Sequence, residues 1–251
     1  MTAAVGGVDL IAAAHGTADP RGIRTIHALV RLMAAQRPEL PISLGFVDVD
    51  VPALPSLVDR VVADSNQAVV VPLLLSSGYH VAVDVLGEAA RRPGQVQAAA
   101  ALGPDPLLAE VLADRLRESL DPRSGGLEEI DQVVLAAAGS SDRRALLDCS
   151  ATAAMLSALI DRPVEVGYVS GAGERLAPVL ARTTGLAGPA ARSTGRVAVG
   201  TYMLAPGFFA DRVRRIAGDL PVSAPLGADP RVAGLALARY DATRLLSAVA
   251  V

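Results

Sequence analysis

The sequence predicts an α/β protein made of two tandem duplicated lobes, each a four-stranded parallel sheet with helices on both faces. Three observations carry this reading. Short apolar runs alternate with stretches of helical periodicity, the pattern of parallel strands joined by helical crossovers. Phrases of the first half return in the second at a nearly constant interval: PISLGFV at 41–47 becomes PVEVGYV at 163–169, and LGPDP at 102–106 becomes LGADP at 226–230. Between the halves lies DPRSGGLEE at 121–129, polar and glycine-rich, the best linker candidate in the chain. The expected division is therefore 1–122 for the first lobe, 123–129 for the linker and 130–251 for the second lobe. Each lobe is large enough to hold its own core, so the duplication is not a solenoid.

The elements follow in order. Residues 8–14 are continuously apolar, as a strand buried on both faces requires. Asp19-Pro20 then offers an N-cap with proline at the first helical position, and Ile23, Ile26, Leu29, Val30 and Met33 recur at helical spacing. A strand is expected at 42–47, a helix at 51–62 and a third strand at 69–75, interrupted at Pro72. The turn Ser76-Ser77-Gly78-Tyr79-His80 leads to a short helix at 83–91, a strand at 96–102 and a helix at 106–120. The second half repeats the order, with strands at 133–138, 164–169, 197–204 and 222–224 and helices at 143–160, 174–184, 209–217 and 230–248. If the second and third strands flank the first, the carboxyl ends of strands one and three meet at a switch point, where open α/β sheets bind ligands.

Composition excludes several classes. A formal charge of −3 gives no support for a nucleic-acid binder. Cys149 is the single cysteine, so no disulfide framework exists and a small buried hydrophobe is the default reading. The opening MTAAVGGVDL lacks the basic region of a signal peptide. No apolar run approaches the roughly 20 residues that span a bilayer. A cytoplasmic protein without membrane or nucleic-acid partners is expected.

Three histidines are present. His27 lies within the first helix with no acidic or histidine neighbour one turn away, and reads as structural or surface. His15 and His80 differ, because each closes a buried strand at a loop of small residues, at the two strand ends the topology brings together. The duplication supplies an internal control. LIAAAHGTADPR at 10–21 returns as LAAAGSSDRR at 135–144, keeping the apolar run, the small turn, the Asp and the Arg, but with Ala138 for His15. Phe209 falls where His80 would be, and Ser170 where Asp48 ends the second strand. A role in the fold would be needed twice, so the histidines point to chemistry specific to the first lobe; drift at two loop positions is the alternative. Asp48 is either a third ligand or proton acceptor, or only a cap of the next turn. Two imidazoles with one carboxylate suit a borderline divalent ion such as Fe²⁺, Co²⁺ or Ni²⁺. The set is too sparse for a closed structural site.

The motifs AHGTADPRG after the first strand, FVD after the second and VPLLLSSGYHVAVD at the third resemble the class II chelatases of modified tetrapyrroles, the sirohydrochlorin chelatases of the CbiX/SirB type. The resemblance covers essentially the whole chain, the second half being similar to a degenerate copy of the first. It implies a chelatase-like fold with a cleft between the lobes, and ATP-independent insertion of a divalent metal into sirohydrochlorin. His15 and His80 would bind the incoming metal and help remove pyrrole protons, with Asp48 assisting; the family more often has Glu there. No permanently bound cofactor is implied, since the metal is a substrate. Fe²⁺ for sirohaem is favoured, with Co²⁺ for cobalamin synthesis or a non-catalytic metal or tetrapyrrole carrier as alternatives. A substrate rich in carboxylates calls for cations at the mouth, for which Arg21, Arg24, Arg91 and Arg92 are candidates beside their ordinary reading as solvated arginines. A monomer is expected, the duplication replacing the dimer of single-domain relatives.

Overall fold

Among the described residues seven strands form two parallel sheets. The computed structural model describes residues 7–65, 67–78, 81–185 and 195–249. In the first sheet β1 (Asp9–Ala14) lies between β2 (Ile42–Phe46) and β3 (Ala68–Pro72), with β4 (Val96–Ala98) beyond β3. In the second, β5 (Gln132–Ala137) lies between β6 (Val164–Tyr168) and β7 (Val197–Tyr202). The register is the same in both: Leu10 faces Ile42 and Val69, and Val133 faces Val164 and Ala198. The central strands are apolar because both faces are covered; residues 10–14 and 133–137 are all buried.

The helices are α1 (Pro20–Gln36), α2 (Leu54–Ser65), α3 (Leu86–Arg91), α4 (Pro106–Glu118), α5 (Arg143–Ile160), α6 (Leu176–Thr183), α7 (Phe208–Ala217) and α8 (Pro230–Val249). Asp19 caps α1 by accepting from the Arg21 amide at 2.8 Å, and Asp142 caps α5 by accepting from the Arg144 amide at 2.9 Å. Ile11, Val70, Leu54 and Val58 meet in one core; Val134, Val199, Leu176 and Val179 are their counterparts in the other.

The compact units do not follow the sequence halves. One comprises Met1–Leu102 with Ala228–Val251, and the other Gly103–Gly227. The expected boundary at 122–130 is thus replaced by two crossings, one at each copy of the LG-x-D-P phrase. Helix α4, encoded in the first half, packs on α5 and β7; α8, encoded in the second half, packs on α1 and β3. The exchange is reciprocal down to single bonds. Arg115 of α4 donates from Nε to the Leu226 carbonyl at 3.2 Å, and Arg239 of α8 donates from Nη2 to the Leu102 carbonyl at 2.9 Å. The supposed linker lies inside the second unit. It forms two 3₁₀ turns, Pro122–Ser124 and Gly126–Glu129, tied down by Arg162, which donates to the carbonyls of Ile130 at 2.8 Å and Glu128 at 3.1 Å.

Two further expectations are corrected. The second sheet has three strands rather than four: Val222 makes only an isolated parallel bridge to Val199. The ladder stops there because the Thr201 amide donates to the Ser223 side chain, at 2.9 Å, in place of a backbone carbonyl. The helix expected at 83–91 begins instead as a π-helical turn, Val81–Val85, that passes into α3. Single π turns within helices are uncommon and often border functional sites.

Candidate functional site

His15 follows β1 directly, where the chain turns towards α1. The turn is held from β2: the amides of Val47 and Asp48 donate to the carbonyls of Ala14 at 2.9 Å and His15 at 3.0 Å. Gly16 comes next, at φ +93°, and a Cβ there would collide with the Asp48 carbonyl oxygen. Only glycine combines that dihedral with that approach. The Thr17 amide then donates to Asp50 Oδ2 at 2.8 Å, and the Asp19 amide to Thr17 Oγ1 at 3.1 Å, which starts α1. The imidazole of His15 is exposed, with Nδ1 3.3 Å from the Gly16 carbonyl oxygen.

The second unit builds the same turn, except that Ala172 stands where Asp50 receives the Thr17 amide. Val169 and Ser170 donate to the carbonyls of Ala137 and Ala138 at 3.0 and 2.8 Å; Gly139 sits at φ +100° against the Ser170 carbonyl; Asp142 donates to Ser140 Oγ at 3.1 Å. These bonds equate His15 with Ala138 and Asp48 with Ser170, as the sequence comparison has them. The turn forms without an imidazole, so His15 is an addition to the scaffold.

The structure brings His15 and Asp48 together on adjoining loops. Asp48 is exposed, and its Oδ1 accepts from the Val49 amide at 2.9 Å. His80, the expected partner, lies outside the described residues, as does Tyr79. The chain on either side runs from the end of β3 into the π-helical turn, at the carboxyl end of the sheet beside β1. Among the described residues no group of three or more His, Cys, Asp or Glu could hold a metal ion.

The arginines divide. Arg21 closes a fork on Asp19, its Nη2 2.6 Å from Oδ2, and Arg144 does the same on Asp142 at 2.9 Å. Recurrence in the unit without histidine makes this fork part of the helix start. It also holds the Asp19 carboxyl down at about 2, chiefly through the side-chain hydrogen bond from Arg21. Arg24, one turn on, is exposed. Arg91 and Arg92 are engaged elsewhere: both reach Asp59, at 2.9 and 2.6 Å, and Arg91 also pairs with Glu88 at 2.7 Å. His27 is exposed on α1.

The sequence reading passed over a cleft in the second unit. It has a volume of about 520 Å³ and lies against the carboxyl end of β6 and the first turns of α6 and α7. Tyr168, Ser170, Arg175, Phe208, Phe209 and Arg212 line it. Phe208 and Phe209 are exposed and meet edge to face, with centroids 5.3 Å apart. An isolated arginine or phenylalanine carries no periodic signal. Aligning the repeats position by position would have exposed the change, since Ala53 and Val83 stand where the second unit has Arg175 and Arg212.

A model of the CbiX family matches residues 9–119 and again 132–243, so both halves of the chain carry it. No curated protein matches the chain. Among solved structures, the sirohydrochlorin chelatase SirB from Bacillus subtilis subspecies spizizenii in complex with cobalt is 20% identical, with a TM-score of 0.71 over 94% of each chain. SirB from Bacillus subtilis with Fe³⁺ is 19% identical, with a TM-score of 0.74 over 94% of each chain. CbiX, the terminal enzyme for biosynthesis of siroheme in denitrifying bacteria, is 15% identical, with a TM-score of 0.65 over 93% of this chain and 98% of its own. At these identities the likeness is one of fold.

Proposed function

The chain belongs to the CbiX family, and from that premise we propose that it is a sirohydrochlorin chelatase, inserting a divalent metal without ATP. The observation that carries the reading is the added imidazole. Two copies of one strand-turn-helix scaffold share most of their hydrogen bonds, and only the first places a histidine, exposed, at the carboxyl end of its central strand.

Insertion exchanges two pyrrole N–H protons for one M²⁺, so the net reaction releases two protons. In this reading His15 and His80 receive the metal through neutral imidazole nitrogens and pass it to the macrocycle. An imidazole is a base as well as a ligand, so the group that gives up the metal can take up a proton the metal displaces. Asp48, beside His15, relays that proton to solvent or steadies the imidazolium. A weak, incomplete donor set is an advantage here, because the product must keep the metal. The metal is accordingly a substrate, and no cofactor stays with the protein. Fe²⁺ is the favoured ion, giving sirohaem. Arg24, exposed on α1, would meet a substrate carboxylate in this reading; Arg21 could do so only by sharing its guanidinium with Asp19.

The test is anaerobic incubation of the purified protein with sirohydrochlorin and Fe²⁺ or Co²⁺, followed by absorbance. A rate above spontaneous insertion that is lost in His15→Ala and His80→Ala is expected. Wild-type turnover in both variants would sink the assignment, and binding of sirohydrochlorin without acceleration would favour a carrier.

A further inference from the structure

We propose that the cleft of the second unit is an anion-and-ring site that takes a planar conjugated polycarboxylate through Arg175, Arg212 and the Phe208–Phe209 pair. The identity of that ligand class rests on the chelatase reading; the site itself rests on the second unit alone.

The hydrogen bonds of the duplication show how the cleft arose. The bridge from Tyr168 to Arg175 repeats the bridge from Phe46 to Ala53. The amides of Ala99 and Leu102 donate to Val70 and Leu74, as those of Ser223 and Leu226 donate to Val199 and Met203. Continuing that alignment without gaps sets Phe209 against His80 and Arg212 against Val83. By this alignment the first repeat carries His15, His80 and Asp48. The second replaces them with alanine, phenylalanine and serine and adds two guanidiniums. Asp48 gives way to a serine and two guanidiniums are gained; of the acids gained beside them, Glu174 is closed on Arg182 and Asp211 precedes Arg212. A face suited to a cation has become a face suited to an anion.

The geometry fits the composition. Arg175 precedes α6 and Arg212 lies on α7, so their side chains approach the cleft from two elements. Neither guanidinium has a hydrogen bond or ion pair among the described residues. The fork on Asp142 holds Arg144, and Glu165 and Glu174 hold Arg182. Arginines left unpaired in a concave wall, rather than closed on the nearest acid, are available for bidentate carboxylate binding. Phe208, 66% exposed at the start of α7, would in an ordinary helix be a liability. Beside the guanidiniums it supplies the flat apolar contact that a conjugated ring stacks on. The Ser170 hydroxyl is spent on the Ala138 carbonyl, at 2.7 Å, and that of Tyr168 on the Leu146 carbonyl, so the guanidiniums are the groups left to meet a carboxylate. The volume, about 520 Å³, admits the edge of a macrocycle with its acid side chains rather than the whole of one.

Metal-free uroporphyrin, a porphyrin carrying carboxylates around its whole rim, tests the site without any insertion step. Titration of the full chain, followed by the porphyrin absorbance, should show saturable binding that weakens as salt is raised. Arg175→Ala with Arg212→Ala should raise Kd at least about tenfold. The Arg175→Lys with Arg212→Lys pair, which keeps the charge but loses the bidentate fork, should recover only part of the affinity, and Phe208→Ala should cost about fivefold. All these positions are exposed, so native far-UV CD is expected throughout. Binding that is absent in the wild type, or equal in the wild type and the double alanine variant, would overturn the proposal. Arginine-dependent binding without metal insertion would leave this site standing and remove the chelatase reading. Metal insertion with an unchanged KM for sirohydrochlorin in the double alanine variant would do the reverse.

Discussion

At the scale of single residues, Gly16 constrains the site as firmly as His15 equips it. Its φ of +93° and the closeness of the Asp48 carbonyl leave no room for a methyl group. Gly16→Ala is expected to destabilise the protein by more than about 1 kcal/mol and to reduce insertion together with stability. Chemical denaturation read beside activity checks this; a stable, active variant would mean the turn tolerates a different path. His15→Ala should behave oppositely, losing insertion while the denaturation midpoint stays put, because Ala138 already occupies the matching position. The equivalence of His15 and Ala138 was legible in the sequence, where one phrase occurs twice with one residue changed. The state of Arg21 and Arg91 was not. An arginine's sequence neighbours do not say whether its guanidinium is free, and here Asp19, Asp59 and Glu88 claim them.

Among the elements, α5, β6 and β7 enclose the groups that make the second unit sensitive to alkali. Burial pushes the Cys149 thiol up to about 11, and also raises the phenols of Tyr168 and Tyr202 above their ordinary value. The unfolded chain releases the thiol proton near pH 8.5 to 9. A group whose pKa is raised by folding adds stability below its unfolded pKa and loses it as the pH climbs towards its native value. Stability is therefore expected to hold to about pH 8 and then to fall, by an amount on the order of 2 kcal/mol for the thiol between about 9 and 11. Urea midpoints over that range, with Cys149→Ala flattening the first part of the fall, are the measurement; a flat wild-type profile would refute it. Helix α4 offers a packing test. Leu108, Leu112 and Leu116 are fully buried, and Leu112 lies under Gly200 of β7. Leu112→Ala should cost about 2–5 kcal/mol and act on the second unit, although the first half of the sequence encodes it. Most strand and helix types were readable from periodicity, because burial on both faces writes continuous apolar runs. The shortfall at Val222 was not readable, since a serine side chain in place of a ladder carbonyl leaves the apolar pattern intact.

For the molecule as a whole, repeats and compact units are different divisions of one chain. The duplication was plain in sequence because phrases recur; the exchange of α4 and α8 was not, because a helix carries the same apolar face whichever sheet it covers. No helix among the described residues is long and apolar enough to cross a membrane. The exchange makes a prediction for the isolated first repeat, residues 1–122. Its sheet would lack α8, and its own α4 carries the matching arginine, so two copies should trade α4 and form a dimer on gel filtration with light scattering. A stable monomer would mean that α4 folds back on its own sheet. The same exchange sets an order in time. During synthesis the second unit has all its parts once Gly227 is made, whereas the unit bearing His15, though begun first, stays open until α8 follows. The nascent first sheet must wait with the faces of α1 and β3 uncovered, and a premature stop between 103 and 227 harms the histidine-bearing end of the protein it never reached.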